Sequence, residues 1–187
     1  MGDSFKRVKL TVIAREIRGC KLCRRGGVGL PVPGEGSANA KVMFIGEAPG
    51  KNEAKVGRPF VGGSGKILRK LIREIRLREE DVFITSPVHY LPKRGTPTVA
   101  AILHGREHTF KQLKLINPKL VVLLGRVACY AMLGRICALS KEHGQMAVRD
   151  GKRYFITYHP AAELHSNRLR GALAKDFERL KRLLKHA

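Results

Sequence analysis

An apolar run, Val42-Met43-Phe44-Ile45, stops abruptly at Gly46-Glu47-Ala48-Pro49-Gly50, and Gly57-Arg58-Pro59-Phe60-Val61-Gly62 follows before a helical pattern begins at Gly65-Lys66-Ile67-Leu68. Strand, glycine-rich loop and helix in that order form the unit in which open α/β sheets place ligands outside the strands' carboxyl ends. Here the loop carries a carboxylate, Glu47, and an aromatic ring, Phe60, among glycines and prolines that fix the backbone. A phosphate cradle needs neither group. A pocket that stacks a flat, uncharged ligand uses both.

The rest of the chain supplies strands of the same kind. Ala40 to Ile45, Asp81 to Thr85, Leu120 to Leu124 and Tyr154 to Thr157 read as buried strands, each bounded by turn residues. Between them helices are expected over 64–77, 98–116 (ended by Asn117-Pro118) and from Gly125 through Leu133, with a last helix over about 168–186. Residues 4–19 form an amphipathic helix whose stripe is Val8, Val12, Ile13 and Ile17, and 135–152 reads as loop with some strand. Strands alternating with helices predict one α/β domain over residues 1–187, with a central four-stranded, mostly parallel sheet flanked by helices. Glu47, Ser86 and His159 each follow a strand's carboxyl end, so right-handed crossovers bring them to one rim.

Charge points to the partner. Thirty-seven Lys and Arg against 15 Asp and Glu leave +22 on 187 residues. Thermophile surfaces mix both signs, whereas this excess is lopsided and suits a polyanion, nucleic acid first. No apolar run nears the length of a membrane span and no export pattern is evident, so neither membrane span nor export is expected; the chain is expected to be a cytoplasmic monomer associated with nucleic acid. Four cysteines in such a compartment ligate metal or stay buried.

Gly46–Gly50, Gly57–Gly62 and Tyr158-His159-Pro160-Ala161-Ala162, with Val32–Gly36 and Leu123–Arg126, resemble the uracil-DNA glycosylase superfamily, in particular its iron–sulfur family 4. The resemblance implies hydrolysis of the N-glycosidic bond of a base flipped out of DNA. Phe60 would stack on the base. Ala48, Pro49 and Gly50 would meet it through backbone amides, and Glu47 would stabilise the positive sugar or position water. His159, as a neutral imidazole, would donate to the departing base's O2. Leu164, in the segment 163–168, would be the wedge pushed into the DNA stack. Arg58, Lys66, Lys93, Arg94 and Arg168 would contact phosphates. No lysine occupies a matched catalytic position, so a monofunctional enzyme is expected, with DNA bearing damaged bases as partner and a replication clamp as a candidate partner.

Two departures from the family stand out. Ser86 occupies the place of an asparagine that reads the uracil edge. A hydroxyl offers less than a planar amide, which opens the substrate choice to hypoxanthine beside uracil. A non-catalytic binder of damaged DNA is the rival reading. The resemblance also implies a four-cysteine cluster, but only Cys20 and Cys23 match; the third position falls at Tyr90 and the fourth near Gly105, and neither is a cysteine. His104 and His108, one helical turn apart, complete a Cys2His2 set suited to zinc or a two-iron cluster. The metal centre is not needed for chemistry, His89 is its reserve ligand, and Cys129 and Cys137 are expected to be buried and inert.

Overall fold

The computed structural model describes residues 2–185. In chain order its elements are α1 (Asp3–Gly19), α2 (Lys21–Arg24), β1 (Gly27–Val28), β2 (Glu35–Gly36), β3 (Val42–Ile45), α3 (Lys51–Val56) and α4 (Gly63–Glu74). Then follow β4 (Val82–Thr85), β5 (Leu91–Pro92), α5 (Val99–Ile116), β6 (Leu120–Leu124), α6 (Arg126–Leu133), α7 (Leu139–Glu142), β7 (Met146–Arg149), β8 (Lys152–Thr157) and α8 (Asn167–Lys185). The last helix reaches Lys185, and the position 186 given as its expected end lies outside the described residues.

Strands β4, β3, β6 and β8 pair in parallel, in that order. These are the four expected strands, and β3, β4 and β6 are buried along their whole length. Burial on both faces is why they read as continuous apolar runs. The sheet has six strands rather than four, because β2 and β7 close its two edges in antiparallel pairing. Strand β2 has only two residues, too few for a period-two pattern. The β7–β8 pair turns at Asp150-Gly151, both at positive φ, inside the segment whose sequence left strand and loop undecided.

Alternation along the strands divides the core. Val42, Phe44, Val122 and Phe155 face α4 and α8, where the Phe44 and Phe177 rings stack at 6.2 Å. Met43, Ile45, Val121 and Ile156 face α5 and α6. Helix α1 packs on α5 through Ile13 and Ile17, with Leu10 half-buried, while Val8 and Val12 are 60% and 41% exposed. The expected stripe was therefore half right: Val8–Val12 and Ile13–Ile17 lie on adjoining faces, and only one meets α5. Among the described residues, no helix is long and apolar enough to cross a membrane.

The ladder continues past the strands' carboxyl ends. Gly46 N donates to Thr85 O and Gly125 N to Thr157 O, each at 2.9 Å. These two bonds register the Glu47 loop beside Ser86 and lay Gly125 beside the segment that carries His159.

Candidate active site and metal centre

Glu47, Ala48, Pro49, Gly50, Phe60, Ser86 and His159 line one cavity of about 320 Å³. Every catalytic or base-contacting residue expected from the sequence is thus brought together. A wider groove of about 550 Å³ lies between α1 and β2. It has no imidazole, and of its two carboxylates Glu35 is spent on Arg58 and Arg69 and Glu80 pairs with Arg78.

Phe60 is buried at φ 52, a left-handed conformation that a ring-bearing residue seldom adopts. Two groups far apart in sequence hold it there. Glu53, in α3, accepts from Gly50 N at 3.1 Å, Val61 N at 2.8 Å and Gly62 N at 2.7 Å. Arg69, in α4, donates to Phe60 O at 3.1 Å and Pro59 O at 3.2 Å. A carboxylate therefore holds the loop's amides and a guanidinium its carbonyls. Arg69 also pairs with Glu35 and Glu79, so it is a half-buried strut. Glycines make the fit: a Cβ on Gly65 would lie 2.0 Å from Phe60 O, and one on Gly46 2.7 Å from the Phe60 ring.

The sequence reading missed Glu53. Its signal is a glutamate at the third position of a helix opened by Gly50, the acidic half of a capping box. It also missed Asp176, which accepts from Thr157 Oγ1 at 2.6 Å and lies 2.9 Å from His143 Nδ1. His143 in turn packs against the Tyr158 ring at 4.7 Å. This half-buried network anchors the end of β8 next to His159.

His159 Nδ1 accepts from Ala161 N at 3.2 Å. In the neutral ring that assignment leaves the proton on Nε2. Burial lowers its pKa to about 4, against an opposing pull from Glu53, so the imidazole is neutral near pH 7. Burial pushes the Glu47 carboxyl up from its ordinary value. Ser86 is 6% exposed, and its carbonyl accepts from Thr109 Oγ1 at 3.2 Å.

Lys66, Lys93, Arg94 and Arg168 are exposed, as is Leu164 in the 3-10 turn Pro160–His165, and none of the five lines the cavity. Arg58 is committed differently: its guanidinium holds Glu35 at 2.8 and 3.2 Å. Burial works against ionising Glu35, but Arg58 and Arg69 together hold its carboxyl below the usual range.

The four expected metal ligands also converge. The donor atoms of Cys20, Cys23, His104 and His108 all lie within 4.8 Å of one another. Cys20 Sγ is 3.1 Å from His104 Nε2, and His108 Nδ1 is buried without a hydrogen-bond partner. Burial opposes ionisation of Cys20, yet hydrogen bonds from Cys23 N, His104 and His108 bring its thiol down to about 6. Burial and the neighbouring Cys20 push Cys23 up to about 12. The pair can thus present one ready thiolate, with the second ionising as a metal arrives. His89 does not join them: its two ring nitrogens each face a backbone carbonyl, Val32 O and Gly105 O, at 3.2 Å. Cys129 and Cys137 are 0% and 1% exposed in the α6 core, and burial followed by contact with Cys137 raises the Cys129 thiol far from ionisation.

Fold and pocket together define an open α/β protein with one ligand site built across the strands' carboxyl ends. The chain belongs to the uracil DNA glycosylase superfamily, whose family model matches residues 33–185. It is 37% identical to the type-4 uracil-DNA glycosylase of Sulfurisphaera tokodaii, over 97% of this chain and 85% of that one. With the type-4 uracil-DNA glycosylase of Saccharolobus solfataricus it shares 38% identity over 94% and 86% of the two chains. With that of Thermotoga maritima it shares 33% over 94% and 95%.

Proposed function

We propose that this chain is a monofunctional DNA glycosylase of base-excision repair, hydrolysing the N-glycosidic bond of uracil, and of other deaminated bases such as hypoxanthine, extruded from DNA. One observation carries the reading: Glu47, Phe60, Ser86 and His159 face a single cavity, and the imidazole is neutral with its Nε2–H unspent. An enzyme acting on a base must take it out of the stack and hold it by its face and edge. Phe60 offers the face and Ser86 the edge contact. Lys66, Lys93, Arg94 and Arg168 would hold the flanking phosphates, and Leu164 would fill the gap that the base leaves.

In the reaction the bond between C1′ and the base nitrogen breaks, and its electron pair leaves with the base. Negative charge grows on the pyrimidine O2, where a donated hydrogen bond from His159 Nε2 is strongest in the transition state. Positive charge grows on the sugar, where the Glu47 carboxylate stabilises it and orients the water that adds to C1′. Among the described residues no lysine lines the cavity, which supports water rather than an amine as the nucleophile. The proton lost by the water goes to the base anion, so the products are the neutral free base and an intact abasic strand.

Cys20, Cys23, His104 and His108 would hold a metal centre. None of them lines the cavity; the metal would pin α2 to α5 and serve structure. The test of function is a labelled duplex with one uracil, incubated with the protein and then treated with alkali. Cleavage at the lesion is expected. A gel shift without cleavage would replace the enzyme by a non-catalytic binder of damaged DNA.

A further inference from the structure

We propose that Cys20, Cys23, His104 and His108 bind a single tetrahedral zinc ion, and that no iron–sulfur cluster assembles in this chain. The inference rests on reading these four residues as a metal centre, and it is independent of the reaction assigned above.

The first argument is size. The four donor atoms lie within 4.8 Å of one another. Zinc–ligand bonds of about 2.0–2.3 Å give a tetrahedron with edges of roughly 3.3–3.8 Å. Small side-chain rotations close that gap, and the Cys20–His104 edge is already 3.1 Å. In a cluster, ligands on different irons are set apart by the iron–iron vector as well as by their own bonds. Donors gathered about one point suit one ion.

The second argument is the state of the two missing thiol positions. Tyr90 is 3% exposed and its hydroxyl donates to Arg18 O at 3.3 Å, so a structural hydrogen bond fills the first place. At Gly105 a Cβ would lie 2.0 Å from Pro87 O. No side chain of any kind fits there while α5 stays against the Ser86–Pro87 segment. The remaining thiols, Cys129 and Cys137, sit in the core beside α6. A four-thiolate cluster has two donors here and no source for the others.

The third argument is the donor chemistry. Two thiolates and two imidazoles in a closed tetrahedron are a structural zinc set. His108 is 8% exposed, and its Nδ1 has no hydrogen-bond partner, with Glu16 Oε2 standing 3.9 Å away. A buried ring nitrogen without a partner is costly. With the ion on the ring's other nitrogen, the Nδ1 proton faces the Glu16 carboxylate, the kind of outer group that orients a zinc-bound histidine.

The experiment is metal analysis of the intact protein, expressed in medium containing both iron and zinc and purified without oxygen so that a labile cluster survives. One zinc per chain is expected, with iron and sulfide at background and no brown colour. Cobalt exchanged into the site should give the intense visible bands of a tetrahedral ion with thiolate ligands. Chelation should lower the melting temperature by roughly 5–15 °C. His104→Ala should lose the ion, whereas His104→Cys, which keeps a zinc donor, should retain it. Stoichiometric iron and sulfide overturn the proposal, as does protein whose melting temperature ignores zinc. Zinc retained by His104→Ala overturns it too. If that variant does not fold, the wild-type metal count and the cobalt spectrum still decide. Uracil excision by the same preparation separates the two readings: excision by an iron-loaded protein removes zinc alone, and absence of excision by a zinc-loaded one removes the glycosylase alone.

Discussion

The Phe60 ring lies 5.7 Å from the His159 imidazole, with the two planes 28° apart. One ring comes from the loop after β3 and the other from the end of β8, so the cavity wall is a contact between opposite halves of the sheet. Phe60 keeps its place at an unfavourable φ because Glu53 and Arg69 grip the amides and the carbonyls of its loop. Strain at such a position persists only when its surroundings over-determine it.

Two glycines beside Phe60 should respond differently to a methyl group. At Gly65 the added Cβ meets backbone, Phe60 O at 2.0 Å; at Gly46 it meets the far end of the Phe60 ring at 2.7 Å. Backbone cannot yield, so Gly65→Ala should cost about 1–3 kcal/mol or more, a lowered Tm in a thermal scan. The ring can swing, so Gly46→Ala should keep most of its Tm while excision falls because the stacking face is displaced. Equal Tm losses in the two variants would refute this division.

His159 makes a statement about pH. Its folded pKa is about 4 against an ordinary 6.5. Above 6.5 the ring is neutral in both states and stability does not depend on it. As pH falls from about 6.5 to about 4, the unfolded chain takes up a proton that the folded chain refuses, so stability is lost, by up to about 3 kcal/mol. Denaturant midpoints at about pH 7 and about pH 5 should differ less in His159→Ala than in the wild type. The same variant should lose roughly 10²–10³ in kcat, as for one oxyanion donor, with DNA affinity nearly unchanged. A kcat within threefold or so of wild type would end the leaving-group role.

Glu47 should set the acid limb of the rate. His159 stays neutral down to about 4, whereas burial raises the Glu47 carboxyl above its ordinary value. The proposed reaction uses the carboxylate, so kcat/KM should fall on the acid side at a pH above the usual carboxylate range. Glu47→Gln should lower kcat by roughly 10²–10⁴ and remove that limb. A limb that survives the substitution belongs to another group.

Much of this site can be read from sequence because its logic is local. A doubly buried strand leaves an apolar run, and residues just past four such runs must share a rim; Glu47, Ser86 and His159 follow from that alone. Helical periodicity puts His104 and His108 on one face, and the family resemblance is what sets that face beside Cys20 and Cys23. What escaped is long-range choice. Nothing local tells Val8–Val12 from Ile13–Ile17 until α5 is present to cover one face. Strand β2 exists only because Glu35 and Gly36 find Ile84 and Phe83. Arg69 reads as one more surface cation of α4, and its burial on Glu35, Glu79 and the Phe60 loop depends on three separate segments meeting.

Under the proposed function Ser86 is the edge reader and should govern which base is taken. It is 6% exposed, lines the cavity, and its Oγ lies 3.1 Å from where a Gly46 Cβ would stand, beside the Phe60 ring. A hydroxyl can turn to donate or accept, so it tolerates base edges of different polarity. An amide presents a donor and an acceptor in one plane and matches a single edge. A well-formed bidentate contact discriminates by about 1–3 kcal/mol. Ser86→Asn should therefore raise the ratio of kcat/KM for uracil over hypoxanthine by roughly 5–100-fold. The larger side chain also narrows the cavity, so part of the gain should come from slower hypoxanthine excision. Steady-state kinetics on duplexes that differ only in the lesion measure the ratio directly. If it is unchanged while the variant keeps its Tm, the hydroxyl is not the edge reader, and selection falls to the backbone of Ala48 to Gly50.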